Sequence, residues 1–145
     1  YTMFFRELSN VPDDMGPLKT SFYPSSTCDA DPEGMDQRWS AWLTQWKSLV
    51  GSAGSTDPGA APLRSREQIS QQMKRVNPKY CLREWLLVDA YQQAGTGHYA
   101  PLRELQEVMT QPYAEQSKDV EEKYYRLKPL EFFRVGGLSY MTCSS

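Results

Sequence analysis

Apolar residues recur at helical spacing in several stretches of the chain. In YTMFFRELSNV, Met3, Phe4, Phe5 and Leu8 lie close enough for a short helix to bury one face. In MDQRWSAWLTQWKSLV, Trp39, Trp42, Leu43, Trp46 and Val50 fall at i, i+3, i+4, i+7 and i+11. That is one broad apolar stripe on a helix. Three tryptophans could stack on a ligand, but the periodicity favours a helix packed on a core. Ser65 and Gln68 have the spacing of a capping box, ahead of a helix with Ile69, Met73 and Val76 on one face. Ala100 to Thr110 predicts another amphipathic helix, with Leu102, Leu105, Val108 and Met109 inward and Pro101 near its first turn. No sustained period-two pattern separates these helices. The expected fold class is mainly α, with long irregular loops and no substantial sheet.

The densest apolar stretch is RVNPKYCLREWLLVDAYQQAGTG. Asn77 suits an N-cap and Pro78 the first helical position, where a missing N–H costs nothing. The predicted helix runs to about Ala94 and stops at Gly95 to Gly97. Tyr80, Cys81, Leu82, Trp85, Leu86, Leu87, Val88, Ala90 and Tyr91 go nearly all the way round it, which makes it central. Arg83 and Asp89 are its charges; each reaches a partner or faces solvent, and a structural salt bridge is expected for Arg83. Cys81 reads as a buried, inert thiol.

Between these helices the chain changes character. Asn10 to Gly34 holds Pro12, Pro17, Pro24 and Pro32 and reads as an irregular surface stretch that includes Cys28. Residues 51–62, GSAGSTDPGAAP, have the composition of a flexible linker. Beyond Pro112 the chain turns polar, SKDVEEKYYRLKP. Residues 129–145 then form an aromatic tail turned at Gly136 and Gly137.

Composition narrows the functional classes. One domain is the usual expectation for 145 residues. A net charge of −2 leaves no electrostatic footprint for nucleic acid or an anionic membrane. The longest purely apolar run, Trp85 to Val88, is far short of a membrane span, and no secretory signal is visible. The chain starts at Tyr1 rather than Met, which suggests a fragment or a processed chain.

Candidate chemistry is sparse. Cys28, Cys81 and Cys143 form no C-x-x-C, and His98 alone completes no zinc pattern. Three cysteines cannot all pair within one chain, which points mildly to a reducing compartment. The glycines of 51–59 follow no strand and make a poor phosphate loop. His98 falls in a helix-to-helix turn, where a solvated or capping role is expected. Glu115, Asp119, Glu121 and Glu122 alternate with Lys118 and Lys123, a solvated face. No complete active site of any class is present. Cys143 lies two residues from the carboxyl terminus, with Arg134 the nearest base to lower its pKa.

The run of Met73, Val76, Asn77, Pro78, Lys79, Tyr80, Leu82 and Arg83 resembles the C-terminal region of the selenoprotein O family. So do the opening YTMFFRELS, the W-x-x-W-L of Trp39 to Leu43, and the terminal CSS, where relatives place selenocysteine or cysteine. The chain departs from the family pattern at Ala100, at Glu84 and at Pro129 to Phe132.

The resemblance implies the helical C-terminal portion of a protein-kinase-like (pseudokinase) fold. It implies an enzyme that transfers AMP from ATP, with Mg²⁺, to protein hydroxyls. The ATP-binding and catalytic residues would lie upstream of Tyr1, and the upstream kinase-like lobe would be the chain's partner. Cys143 would be a redox element, paired with an upstream cysteine or with Cys28. The compartment would be mitochondrial or plastid in a eukaryote and cytoplasmic in a bacterium. A different class remains open: a stand-alone, non-catalytic helical interaction module.

Overall fold

The computed structural model describes residues 1–23, 32–52 and 64–133. Its elements are α1 (Thr2–Leu8), α2 (Gly16–Lys19), α3 (Pro32–Ser52), α4 (Arg66–Val76), α5 (Glu84–Gly95), α6 (Ala100–Thr110), α7 (Lys118–Tyr124) and a 3₁₀ turn at Leu130–Phe133. The architecture is helical as expected, and no strand occurs among the described residues. The chain divides into two compact units, Tyr1–Asn77 and Pro78–Ser145.

The first unit is built on Phe4 and Leu8 of α1, Met15, Leu18 of α2 and Leu43 of α3, all buried. Trp39, Trp42, Trp46 and Met73 pack against them. The Phe4 ring lies 5.6 Å from that of Trp39 and 5.9 Å from that of Trp42. Trp42 stacks on Trp46 at 6.4 Å. The tryptophan stripe therefore packs on the core, as its spacing predicts.

The stretch from Asn10 differs from the reading of an irregular surface. Val11, Met15 and Leu18 are buried, and Leu18 is completely enclosed. Their spacing of four and three residues is helical, and Pro17 sits in the first turn of α2, where its missing N–H is harmless. Asp14 accepts the Gly16 N–H at 2.7 Å just ahead of that turn. Val11 adopts φ 50°, a region β-branched residues seldom enter. Pro32 likewise opens α3 rather than belonging to a loop, and the helix runs through Gly51 and Ser52. The predicted linker thus gives its first two positions to α3; residues 53–62 lie outside the described residues, as does Cys28.

In α4 the capping box forms as predicted. Ser65 accepts from the Gln68 N–H, and the Gln68 side chain accepts from the Ser65 N–H. Ile69 is buried and Met73 packs on the core. Val76, expected inward, is 70% exposed, because α4 ends there and the backbone turns extended at Asn77.

The second unit buries Tyr80, Trp85, Leu86, Ala90, Leu105, Val108 and Tyr124. α6 has the predicted bounds, and α5 stops at Gly95 with Gly97 at φ 87°. The start of α5 corrects the sequence reading: it begins at Glu84, not Pro78. The N–H groups of Lys79 and Tyr80 both donate to the Pro112 carbonyl, at 2.8 and 3.0 Å. That long-range pairing holds the segment before α5 extended, as the φ −112° and ψ 143° of Arg83 reflect. α7 forms inside the polar stretch, where the Ser117 hydroxyl accepts the Val120 N–H at 3.4 Å.

Candidate functional site

The N-P-K-Y segment is where long-range polar contacts concentrate. Asn77 is the C-cap of α4, not the N-cap of α5. Its carbonyl accepts from Arg6 Nη1 at 3.0 Å, and the same guanidine nitrogen donates to the Lys74 carbonyl at 3.2 Å. The Asn77 amide donates to Ser9 Oγ at 3.0 Å, and that hydroxyl donates to the Phe5 carbonyl at 2.7 Å. Arg6 and Ser9 are buried. A buried cation thus serves the carbonyls that a helix C-terminus leaves unpaired and complements its dipole. Pro78, expected at the first position of a helix, sits in the extended segment and starts none. Arg83 is instead the N-cap residue of α5, and its carbonyl accepts the Leu86 N–H at 2.9 Å.

Lys79 is the residue that sequence reasoning missed. Its side chain is only 7% exposed, and its ammonium pairs with Glu115 and, at 2.9 Å, with Glu121. It lies 5.3 Å from the centre of the Tyr125 ring and 6.0 Å from that of Tyr80. Burial opposes the charge, but the hydrogen bonds to Glu115 and Glu121 outweigh it, and the ammonium pKa is raised. An ammonium held charged in this way is a poor base and a poor nucleophile; its chemistry here is that of an anchor. The signal lay in the acidic stretch read as a solvated face, since Glu115 and Glu121 are half-exposed yet converge on one cation.

Two phenols and a second ammonium of the second unit likewise hold their protons more tightly than usual. Burial pushes the phenols of Tyr80 and Tyr124 up. The hydrogen bond from Lys123 to Glu104, at 2.7 Å, raises its ammonium pKa. Gln116 donates to the carbonyls of Val108 and Gln111 at the end of α6, at 2.9 and 3.1 Å. His98 is exposed, in keeping with a solvated position in a helix-to-helix turn, with Nδ1 2.7 Å from Gln93 Oε1, and its backbone N–H donates to the Gln93 carbonyl. Asp89 is exposed and accepts from Gln93 Nε2 at 2.9 Å. Cys81, expected buried, is half-buried because its segment is extended rather than helical. Cys143 lies outside the described residues.

Three concavities are described in this unit. One, of about 310 Å³, is lined by Trp85, Asp89, Lys123, Tyr124, Arg126 and Phe132, with the Arg126 guanidinium 5.3 Å from the Trp85 ring centre. Another, of about 450 Å³, is an apolar groove over α5 and α6. The third, of about 530 Å³, is lined by Tyr99, Arg103, Glu104 and Glu107. Among the described residues no three His, Cys, Asp or Glu side chains are grouped to hold a metal ion. No glycine-rich run lines any of the three, and Lys123, the lysine among their linings, is paired with Glu104, so a phosphate cradle is not formed there. The residues described do not fit ATP and Mg²⁺. Nor is any helix among them long and apolar enough to cross a membrane.

These features define two helical units, each with a buried polar anchor. Comparison with known proteins places the chain further. The chain is 33% identical over 148 residues to the protein nucleotidyltransferase YdiU of Tolumonas auensis, a match that covers 99% of this chain and 25% of that protein. It is 32% identical to the YdiU of Methylobacillus flagellatus, over 99% of this chain and 26% of the relative. The match to the YdiU of Stutzerimonas stutzeri is 36% identical over 80% of this chain. By this similarity the chain belongs to the selenoprotein O family, the family of the YdiU proteins. It spans about a quarter of the length of these relatives. No family model matches the chain, and no solved structure does.

Proposed function

We propose that this chain is the helical C-terminal part of a protein adenylyltransferase that transfers AMP from ATP to serine, threonine or tyrosine hydroxyls of proteins. The observation that carries the reading is similarity over 99% of the chain to proteins named protein nucleotidyltransferase. In this reading the upstream kinase-like lobe binds ATP and Mg²⁺ and carries out the transfer. The described residues, in this reading, contribute no reacting group to the transfer. Their part is to hold a stable helical body on that lobe, through the Arg6–Asn77 and Lys79–Glu121 anchors within their own units. In this reading the location is cytoplasmic if the source is bacterial, as the organisms of the relatives are.

Cys143 is the proposed redox element, at the position where the family resemblance implies cysteine or selenocysteine. Substituting it, Cys143→Ser, leaves folding intact and removes any oxidant-dependent change in activity; an unchanged oxidant response refutes that role. The adenylyltransferase reading itself is tested with the full-length gene product and Mg²⁺. ATP labelled at the α-phosphate marks protein, whereas ATP labelled at the γ-phosphate does not.

A stand-alone, non-catalytic interaction module is the second reading. Each unit encloses an apolar core of its own, which favours it. A kinase-like lysine, glutamate, asparagine and aspartate encoded upstream of Tyr1 would decide for the enzyme.

A further inference from the structure

We propose that the apolar groove over α5 and α6 is the seat of the part of the protein that lies outside these 145 residues. The proposal rests on the reading above, in which the chain is one part of a longer enzyme. The groove is lined by Leu82, Leu87, Leu102, Leu105 and Met109, with uncharged Gln106 and Thr110 beside them. Leu82 is 55% exposed, and Leu87, Leu102 and Met109 are half-buried. They form the outer flank of the second unit's core, which Leu105 belongs to and against which Leu87, Leu102 and Met109 pack.

A contiguous strip of leucine and methionine is out of keeping with a chain whose mean hydropathy is −0.66. Such strips mark surfaces that another body covers. The chemistry of the strip says what kind of body. Nothing charged lines it, so it offers no electrostatic steering to a partner that comes and goes. Permanent interfaces are the apolar ones, and a covalently attached body meets its seat at high effective concentration.

The relatives supply that body: this chain accounts for 25% of the Tolumonas protein, and the remainder has no counterpart here. The opposite face of α6, with Arg103, Glu104 and Glu107 beside Tyr99, is charged and suits water. The occupant is therefore a leucine-, methionine- or aromatic-bearing surface of the remaining protein, set against one face of α6 only.

Hydroxyl-radical footprinting tests this without relying on activity. The full-length protein and the 145-residue chain are labelled side by side, and modification of Leu82, Met109 and Tyr99 is read by mass spectrometry. The expected result is a several-fold slower modification of Leu82 and Met109 in the full-length protein, with Tyr99 unchanged. Equal rates in the two proteins overturn the proposal. So does protection that grows with protein concentration in the 145-residue chain, since a second copy would then be the occupant. Protection in a full-length protein that transfers no AMP would refute the enzymatic reading while leaving the groove's assignment standing.

Discussion

Arg6 Nη1 donates a hydrogen bond to the carbonyl of Asn77, 71 residues away in sequence, at 3.0 Å. The two residues belong to the opening YTMFFRELS and to the NPKY run, stretches that look unrelated along the chain. Folding joins them at the C-terminus of α4, with Ser9 accepting the Asn77 amide. The opening motif and Asn77, the first residue of the NPKY run, therefore have a structural reason to occur together.

Removing the guanidinium takes one donor from both the Lys74 and Asn77 carbonyls. Arg6→Ala is expected to destabilise the first unit by roughly 1–3 kcal/mol, the usual cost when buried polar groups lose a partner. Asn77→Ala loses the bond to Ser9 and a smaller amount, about 1 kcal/mol. Urea unfolding followed by tryptophan fluorescence reports it, since Trp39, Trp42 and Trp46 belong to that unit's core. An Arg6→Ala midpoint equal to wild type would contradict the anchor.

Lys79 predicts behaviour in alkali. Its pKa in the fold is above the ordinary lysine value of 10.5, so the folded chain holds that proton more tightly than the unfolded chain. The stabilisation is complete below that value and is lost as pH rises through the folded pKa. Tyr80 and Tyr124, raised above 10.0, act in the same direction: the unfolded chain ionises first. The unfolding midpoint of the second unit should fall as pH rises beyond about 10, and it should fall less steeply in Lys79→Met. A pH-independent midpoint over that range would refute the buried, charged assignment.

Lys79→Met should also destabilise at neutral pH. Glu115 and Glu121 lose their shared cation, though both are half-exposed and water moderates the loss. The expected cost is roughly 1–3 kcal/mol. Glu121→Gln, which leaves Glu115 in place, should cost less. A larger effect from Glu121→Gln than from Lys79→Met would place the weight on the carboxylate instead.

Local and core contributions separate cleanly. Ser65→Ala removes the capping box of α4 and should cost about 1 kcal/mol. Leu105→Ala opens a cavity where the side chain is 2% exposed and should cost about 2–5 kcal/mol in the second unit. Calorimetry of both variants checks the order; a capping loss exceeding the cavity loss would be inconsistent with the packing described.

Much of this was legible before the structure. The periodicity of Trp39 to Val50, the Ser65–Gln68 box and the Pro101 start of α6 are local signals, and each produced the helix it predicts. What failed depended on contacts distant in sequence. Asn77–Pro78 has the dipeptide chemistry of a helix start, yet Pro112 captures the N–H groups of Lys79 and Tyr80 and keeps the segment extended. Prolines at 12 and 17 outweighed the helical spacing of Val11, Met15 and Leu18, although Pro17 in a first turn is compatible with α2. Glu115 and Glu121 looked solvated because their partner, Lys79, stands 36 and 42 residues earlier. No local pattern could reveal it.

The central claim concerns the whole protein. The full-length gene product, incubated with Mg²⁺ and ATP carrying a label on its α-phosphate, is separated under denaturing conditions and examined for labelled protein. The account predicts that label appears on protein, that a phosphodiesterase releases it as AMP, and that γ-labelled ATP leaves protein unmarked. Absence of α-label from the enzyme itself and from every protein of a whole extract would contradict it.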